Sequence, residues 1–381
     1  MKITFCIPSK NNLRYLKSCI KSIKDNSTYD NDIVVWVDLD NDGTIEWLKE
    51  QGVSYLVNPK QYPQGIATGY NKCILAAKTE LVCMFHADMY MAKGFDVNIL
   101  KHVKNNVVVA GTRIEPPLHP SGKEKIIKDF GMYPEIFREE DFNKFVEDIK
   151  VLEKDKTTEG IFAPWVCYKS DILEIGLHDE SFHSYHEDSD IFNRMLLKGM
   201  KLVQSRDALV YHLTCRGGQF QDGIEKITDN KEFHLMKENS KRNYLRKWGS
   251  WIKNDEYQHP IVSPKYNIAF VVDNCNLMAL EALEPWCDKI YVKDLFDYIE
   301  REQPNTPIDL SKRVLFYIRK VEADIIVEFD ATKLSQESFN LITQLPDILK
   351  DSGQVGKFEL DIFIITINQL EEHQFELIKP L

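Results

Sequence analysis

Four short segments hold most of the residues able to do chemistry. They are VDLDNDGT with Asp38, Asp40 and Asp42, FHADMY with His86 and Asp88, HEDSDIFNRMLLKG with Glu187 and Asp188, and VYHLTCRGG with His212 and Arg216. A carboxylate such as Asp88 offers the hard oxygen that Mg²⁺ or Mn²⁺ needs, and a neutral imidazole such as His86 suits Mn²⁺ better than Mg²⁺. Glu187 and Asp188 open a helical pattern whose apolar face is Ile191, Met195 and Leu196. Both acids therefore fall near a helix N-terminus, where the backbone dipole stabilises negative charge. Such an acid could take a proton from a substrate or merely cap the helix. Asp190 and Arg194 lie four apart and read as a helix-surface or supporting pair. His212 closes the apolar run DALVYH, although a lone histidine is more often structural than a ligand.

These residues need a frame to bring them together, and the first 110 residues supply one by alternating short β-rich runs with helical patterns. Strands are expected at Lys2 to Ile7, Ile33 to Val37, Ser54 to Val57 and Leu81 to Phe85. Helices are expected at Leu13 to Lys24, Thr44 to Gln51 and Ile66 to Ala77. Four strands in this order make a Rossmann-like half, and such sheets bind ligands beyond the carboxyl ends of their strands. The segments there are Pro8 to Asn11, Asp38 to Asp42, Asn58 to Gly65 and His86 to Asp88. From Glu115 to Gly160 the pattern loosens into charged helical pieces, read either as an active-site loop or as a solvated helix.

Taken in chain order, CIPSKNN, VDLDNDGT, NPKQYPQGIATGYN, FHADMY, HEDSDIFNRMLLKG and VYHLTCRGG resemble family-2 glycosyltransferases over about residues 1–250. The resemblance implies a GT-A fold, a nucleotide-diphosphate sugar donor, a divalent cation (Mn²⁺ or Mg²⁺) and inversion at the anomeric carbon. By the same resemblance Asp188 is the general base for the acceptor hydroxyl. Asp88 and His212 are metal ligands. Pro8, Ser9, Asn11, Asp38, Asn58, Gly65, Asn71, His86, Ala87 and Arg216 form the donor side, with Asp38 contacting the base, Arg216 reaching the diphosphate and its flanking glycines closing a loop. Trp165 and Glu187 lie on the acceptor side. His86 departs from the family pattern, since the DxD triplet here reads His86-Ala87-Asp88 and lacks its first acid. Other readings stay open: a turn for Asp38, a helix cap for Asp188, a core ring for Trp165 and a surface loop for Arg216. Asp40 and Asp42 read as turn and capping residues.

At 381 residues the chain is long enough for two domains. The division expected is a GT-A domain over 1–252 and a smaller accessory α/β domain over 265–381, after the interrupted stretch KNDEYQHPIVSP. RNYLRKWG is read as the helix closing the first domain. In the second domain, strands are expected at NIAFVV, Lys289 to Val292, Arg313 to Tyr317, Asp324 to Phe329 and Leu360 to Ile367, with a helix from Gln336 to Leu349. The net charge of −11 argues against nucleic acid as a partner. No apolar run is long enough to span a bilayer, and the N-terminus has no signal-peptide pattern, so a cytoplasmic protein is expected. The eight cysteines form no CxxC pair and read as buried reduced thiols. The function expected is thus a metal-dependent, inverting transferase of the hexosyltransferase type. It would move a sugar from a nucleotide-diphosphate donor, UDP-sugar first, to a glycan or other hydroxyl acceptor. The alternative is a non-catalytic nucleotide-sugar- or glycan-binding protein that keeps the fold.

Overall fold

The computed structural model describes residues 1–216, 218, 231–294, 297–317 and 321–380. The chain divides into two compact units. The first comprises Met1–His234, Asn254–Pro260 and Lys379–Leu381, and the second Leu235–Lys253 and Ile261–Ile378.

The first unit runs β1 (Ile3–Lys10), α1 (Leu13–Asn26), β2 (Asp32–Leu39), α2 (Thr44–Glu50), β3 (Ser54–Val57), α3 (Gly65–Ala76), β4 (Leu81–Met84), β5 (Met89–Met91), α4 (Phe95–Leu100) and β6 (Val107–Glu115). It continues through β7 (Lys125–Ile127), α5 (Glu139–Leu152), β8 (Thr157–Thr158), β9 (Trp165–Tyr168), α6 (Lys169–Glu174), α7 (Glu187–Leu197) and β10 (Lys201–His212). The expected elements of the first 85 residues are all present, within a few residues at their ends. Their alternation reflects burial: Phe5 and Ile7 of β1, Val35 of β2 and Val82 of β4 are wholly buried, as are Leu16 and Cys19 on the inner face of α1.

The main sheet has the order β3-β2-β1-β4-β9-β6-β10-β5. β1, β2, β3 and β4 pair parallel. β9 is antiparallel to both β4 and β6, which leaves β6 parallel to β4, and β10 pairs parallel with β6. The carboxyl ends of β1, β2, β4, β6 and β10 therefore all emerge along one edge. Asn11, Asp40, His86, Glu115 and His212 are brought to that edge from positions spread over two hundred residues.

The excursion after β6 is packed down rather than solvated throughout. In α5, Phe142 and Val146 are buried, and Phe142 sits edge-on to Tyr90 at 5.8 Å and to Phe130 at 5.6 Å.

The second unit takes up most of α8 (Lys231–Trp248), followed by β11 (Ile268–Asp273), α9 (Leu277–Leu283), β12 (Lys289–Val292), α10 (Tyr298–Glu302), β13 (Val314–Phe316), β14 (Ile325–Asp330), α11 (Gln336–Ser352), β15 (Gly356–Leu360) and β16 (Phe363–Ile367). Its sheet order is β13-β12-β11-β14-β16-β15. Two expectations need correction. Leu235–Lys253 lies in the second unit instead of closing the first. The physical reason is charge: Arg246, wholly buried, donates to Glu284 and Glu302, and Glu284 also accepts from Tyr298 and Arg313. Leu360 to Ile367 is not one strand, because Asp361 turns left-handed at φ 53° and makes a hairpin of β15 and β16.

Candidate functional site

His86 follows β4, Asp88 precedes β5, and His212 ends β10. β5 pairs antiparallel with the end of β10, Met89 opposite His212, and the backbone N–H of Leu213 donates to the Asp88 carbonyl at 3.0 Å. That pairing brings residues 124 positions apart into one cluster. His86 Nδ1 stands 3.4 Å from His212 Nε2, and His212 Nε2 stands 3.4 Å from Asp88 Oδ1. One donor atom from each of the three residues lies within 4.8 Å of the others. Two imidazole nitrogens and a carboxylate oxygen converging this closely could hold a divalent transition-metal cation.

The surroundings order this cluster. The backbone N–H of Arg216 donates to Asp88 Oδ2 at 2.9 Å. Behind His212, Nδ1 lies 2.9 Å from Glu115 Oε1, and Glu115 is paired with Arg113 at 3.2 Å and Lys125 at 3.0 Å. Burial disfavours charge on His212, but the carboxylates of Asp88 and Glu115 outweigh it and push its pKa up to about 9. His86 goes the other way, down to about 4, because burial and the neighbouring His212 both disfavour its charge. Asp88 is held well below the usual carboxylate range despite its burial, chiefly by His212.

A second acidic group opens α7. Tyr185 and His186 both adopt left-handed backbone, at φ 68° and 70°, immediately before Glu187. Two successive non-glycine residues in that region carry a conformational cost, of the kind held in place where the surrounding structure demands it. Burial followed by repulsion from Asp188 raises Glu187 to about 8. Burial also raises Asp188, against hydrogen bonds from Ser189. Glu187 is only partly covered as a residue, yet its Oε2 is sealed from solvent and meets no partner among the described residues. The approach to α7 is tied to the start of α3 by the Ile66 N–H, which donates to His183 O at 2.8 Å.

The expected donor-side residues divide into three groups. Asp38 and Asn58 fasten a loop: Asp38 accepts from the N–H groups of Gln64 at 2.8 Å and Gly65 at 3.0 Å, and from Asn58 Nδ2 at 2.9 Å. Pro8, Ser9, Asn11 and Ala87 shape the edge. Pro8 lies so close to Gly69 that a Cβ there would come within 2.8 Å of it, and Asn11 accepts from the N–H of Asn41 at 2.8 Å. Ser9 Oγ is buried without a partner among the described residues, and Ala87 is buried. Asn71 and Arg216 are engaged with protein groups. Asn71 is buried and clasps His178 through both of that residue's backbone groups, each at 2.9 Å, and so braces α3. The Arg216 side chain turns inward, donating to the carbonyls of Leu213 at 3.0 Å and Met132 at 2.6 Å and lying over the rings of Tyr15 and Tyr133. It supports Asp88 through its main chain. Of the two glycines after it, Gly217 lies outside the described residues.

Trp165 takes the core-ring position. It is 2% exposed, pairs in β9 opposite Met84 and packs on Phe192 at 5.8 Å, so it offers no free face to a sugar. Asp40 and Asp42 serve as caps: Asp40 accepts from the N–H groups of Thr44 and Ile45, and Asp42 from that of Leu13 at the start of α1. Glu115 is the residue that the sequence reading passed over. Its signal was slight, a charged pair in TRIE at the end of an otherwise apolar strand.

With this geometry in view, comparison with known proteins is informative over part of the chain. Residues 4–158 match the model of the family described as "Glycosyl transferase family 2". That segment is similar to family 2, as the turn motifs led one to expect, and the unit that contains it is an α/β fold with a largely parallel sheet. No curated protein sequence matches the chain. Among solved structures, GalNAc-T7 with UDP, GalNAc and Mn²⁺ aligns at 14% identity and a TM-score of 0.42, over 56% of this chain and 43% of that one. TarS 1-349 of S. aureus aligns at 12% and 0.41, over 65% of this chain and 74% of that one. The mannosyltransferase PcManGT from Pyrobaculum calidifontis, in complex with GDP-Man and Mn²⁺, aligns at 14% and 0.41, over 64% and 62%. The match thus spans less than half of GalNAc-T7. Among the described residues no helix is long and apolar enough to cross a membrane.

Proposed function

We propose that this protein is a metal-dependent glycosyltransferase acting by single displacement on a nucleotide-diphosphate sugar, with a UDP-sugar the first donor to try and a hydroxyl group as acceptor. The observation that carries the reading is the convergence of His86, Asp88 and His212 at the carboxyl edge of the sheet, within 4.8 Å. In this reading those three side chains hold the cation. When bound there, a divalent cation would neutralise charge on the departing diphosphate.

Asp188 receives the proton of the acceptor hydroxyl as its oxygen bonds to the anomeric carbon and the bond from that carbon to the diphosphate oxygen breaks. Its position in the first turn of α7 favours the ionised form needed for that role, while burial opposes it. Beside it, burial and repulsion from Asp188 raise Glu187 to about 8, which disfavours ionisation of both carboxylates together. Asp38 and Asn58 hold the loop before α3, where the donor's nucleoside is expected.

The test is to incubate the full chain with a panel of nucleotide sugars, with Mn²⁺, with Mg²⁺ or with chelator, and to measure free nucleotide diphosphate beside an Asp88→Ala variant. Metal-dependent release from one donor, lost in the variant, is the expected result. No release from any donor, with nucleotide binding intact, would move the reading to a nucleotide-sugar-binding protein.

A further inference from the structure

His212 places each of its ring nitrogens against a different carboxylate, Nε2 at 3.4 Å from Asp88 and Nδ1 at 2.9 Å from Glu115. Only Nε2 faces the cluster with His86 and Asp88. A neutral imidazole carries one N–H and one lone pair, so the group bonded to Nδ1 decides which nitrogen is left to ligate. Glu115 comes from the end of β6, is 1% exposed, and is held in turn by Arg113 beside it and by Lys125 from β7. A carboxylate sealed from water is costly unless it is paired and hydrogen-bonded. Both conditions are met here, and His212 is one of the partners.

We propose that Glu115 is a positioning residue for the cation site. It accepts the Nδ1–H of His212, fixes that tautomer and ring orientation, and leaves the Nε2 lone pair aimed at the space shared with Asp88 and His86. Arg113 and Lys125 keep Glu115 in place, so three strands, β7, β6 and β10, contribute to aligning one ligand. The inference rests on the metal reading given above and extends it to residues beyond the ligands. Loss of such an outer partner typically weakens metal binding about 10- to 100-fold.

The experiment is a titration of the full chain with Mn²⁺, alone and with UDP present, followed by calorimetry and by loss of the free Mn²⁺ electron-spin signal. The proteins compared are wild type, Glu115→Gln, Glu115→Ala, His212→Ala and the Glu115→Gln/His212→Ala double variant. Thermal melting is recorded for each. Glu115→Gln keeps an acceptor for Nδ1–H and is expected to weaken Mn²⁺ about 10-fold, and Glu115→Ala more. In the His212→Ala background, Glu115→Gln is expected to have no further effect, because Glu115 acts only through the imidazole. Should Glu115→Ala fail to fold, the isosteric Gln variant carries the comparison. Unchanged affinity in Glu115→Gln, or the same additional loss with His212 absent, would overturn the inference while leaving the metal reading standing. Absence of Mn²⁺ binding by the wild type would overturn both.

Discussion

Replacing Gly65 by alanine perturbs the join between the donor-side loop and the approach to α7. Gly65 has φ +86°, and a Cβ there would lie 2.2 Å from His183 O, 2.6 Å from its Cα and 2.7 Å from its carbonyl carbon. All three are backbone atoms, so no side chain can rotate away. An L-residue in left-handed backbone costs roughly 1–2 kcal/mol, and breaking the hydrogen bond from Ile66 N–H to His183 O adds roughly 1 kcal/mol. The expected destabilisation is therefore about 2–3 kcal/mol, and the His183 segment must retreat by about 1 Å to restore contact. Because that segment leads into Glu187 and Asp188, a shift of this size also predicts a loss of turnover of about 100-fold. Gly52 is the matched control, with φ +62° and nothing within 4 Å, so Gly52→Ala should cost only the conformational part. Urea denaturation of both variants, with nucleotide-diphosphate release as the second readout, makes the comparison. Equal midpoints for the two variants, or a Gly65→Ala protein with unimpaired turnover, would refute the reasoning.

Three further outcomes are expected. Burial and Asp188 raise Glu187 from an ordinary 4.5 to about 8, so between those pH values the folded Glu187–Asp188 pair is expected to hold a proton that the unfolded chain has released. Stability should fall as pH rises from 4.5 towards 8, and urea midpoints across that range should show a flatter profile for Glu187→Gln. His212, at about 9 without a cation, must lose its proton to ligate. Mn²⁺ affinity should therefore rise with pH below that value by up to about tenfold per unit, and calorimetry in two buffers should register close to one proton released. In the second unit, Glu284→Gln leaves Arg246 and Arg313 buried with less neutralising charge, and should destabilise that unit by about 3–5 kcal/mol in thermal or urea unfolding.

The first half of the main sheet was legible in the sequence because each strand is a short apolar run followed by a polar turn, and both features are local. The placement of Asp88 and His212 at the sheet edge was legible for the same reason, each beside an apolar strand. Glu115 was not, because its significance depends on a partner 97 residues away and on the β6–β10 pairing that unites them. The directions of the Arg216 and Trp165 side chains were not legible, because residue type alone does not fix direction. A guanidinium can serve its own loop's carbonyls, and an indole can fill the space between β9 and α7. Likewise, α8 looked like the end of the first domain until Arg242 and Arg246 met Glu284 and Glu302, a pairing invisible to periodicity. The break at Asp361 escaped notice because FELDIFI keeps a strand-like alternation through the turn.

The account's central claim, that His86, Asp88 and His212 form a cation site, is tested most directly by crystals of the full chain grown with Mn²⁺ and UDP, using anomalous scattering at the manganese edge. The account predicts a single strong peak at bonding distance, about 2.0–2.6 Å, from His212 Nε2 and an Asp88 oxygen. A manganese peak elsewhere, or none beside those two side chains with UDP bound, would contradict it.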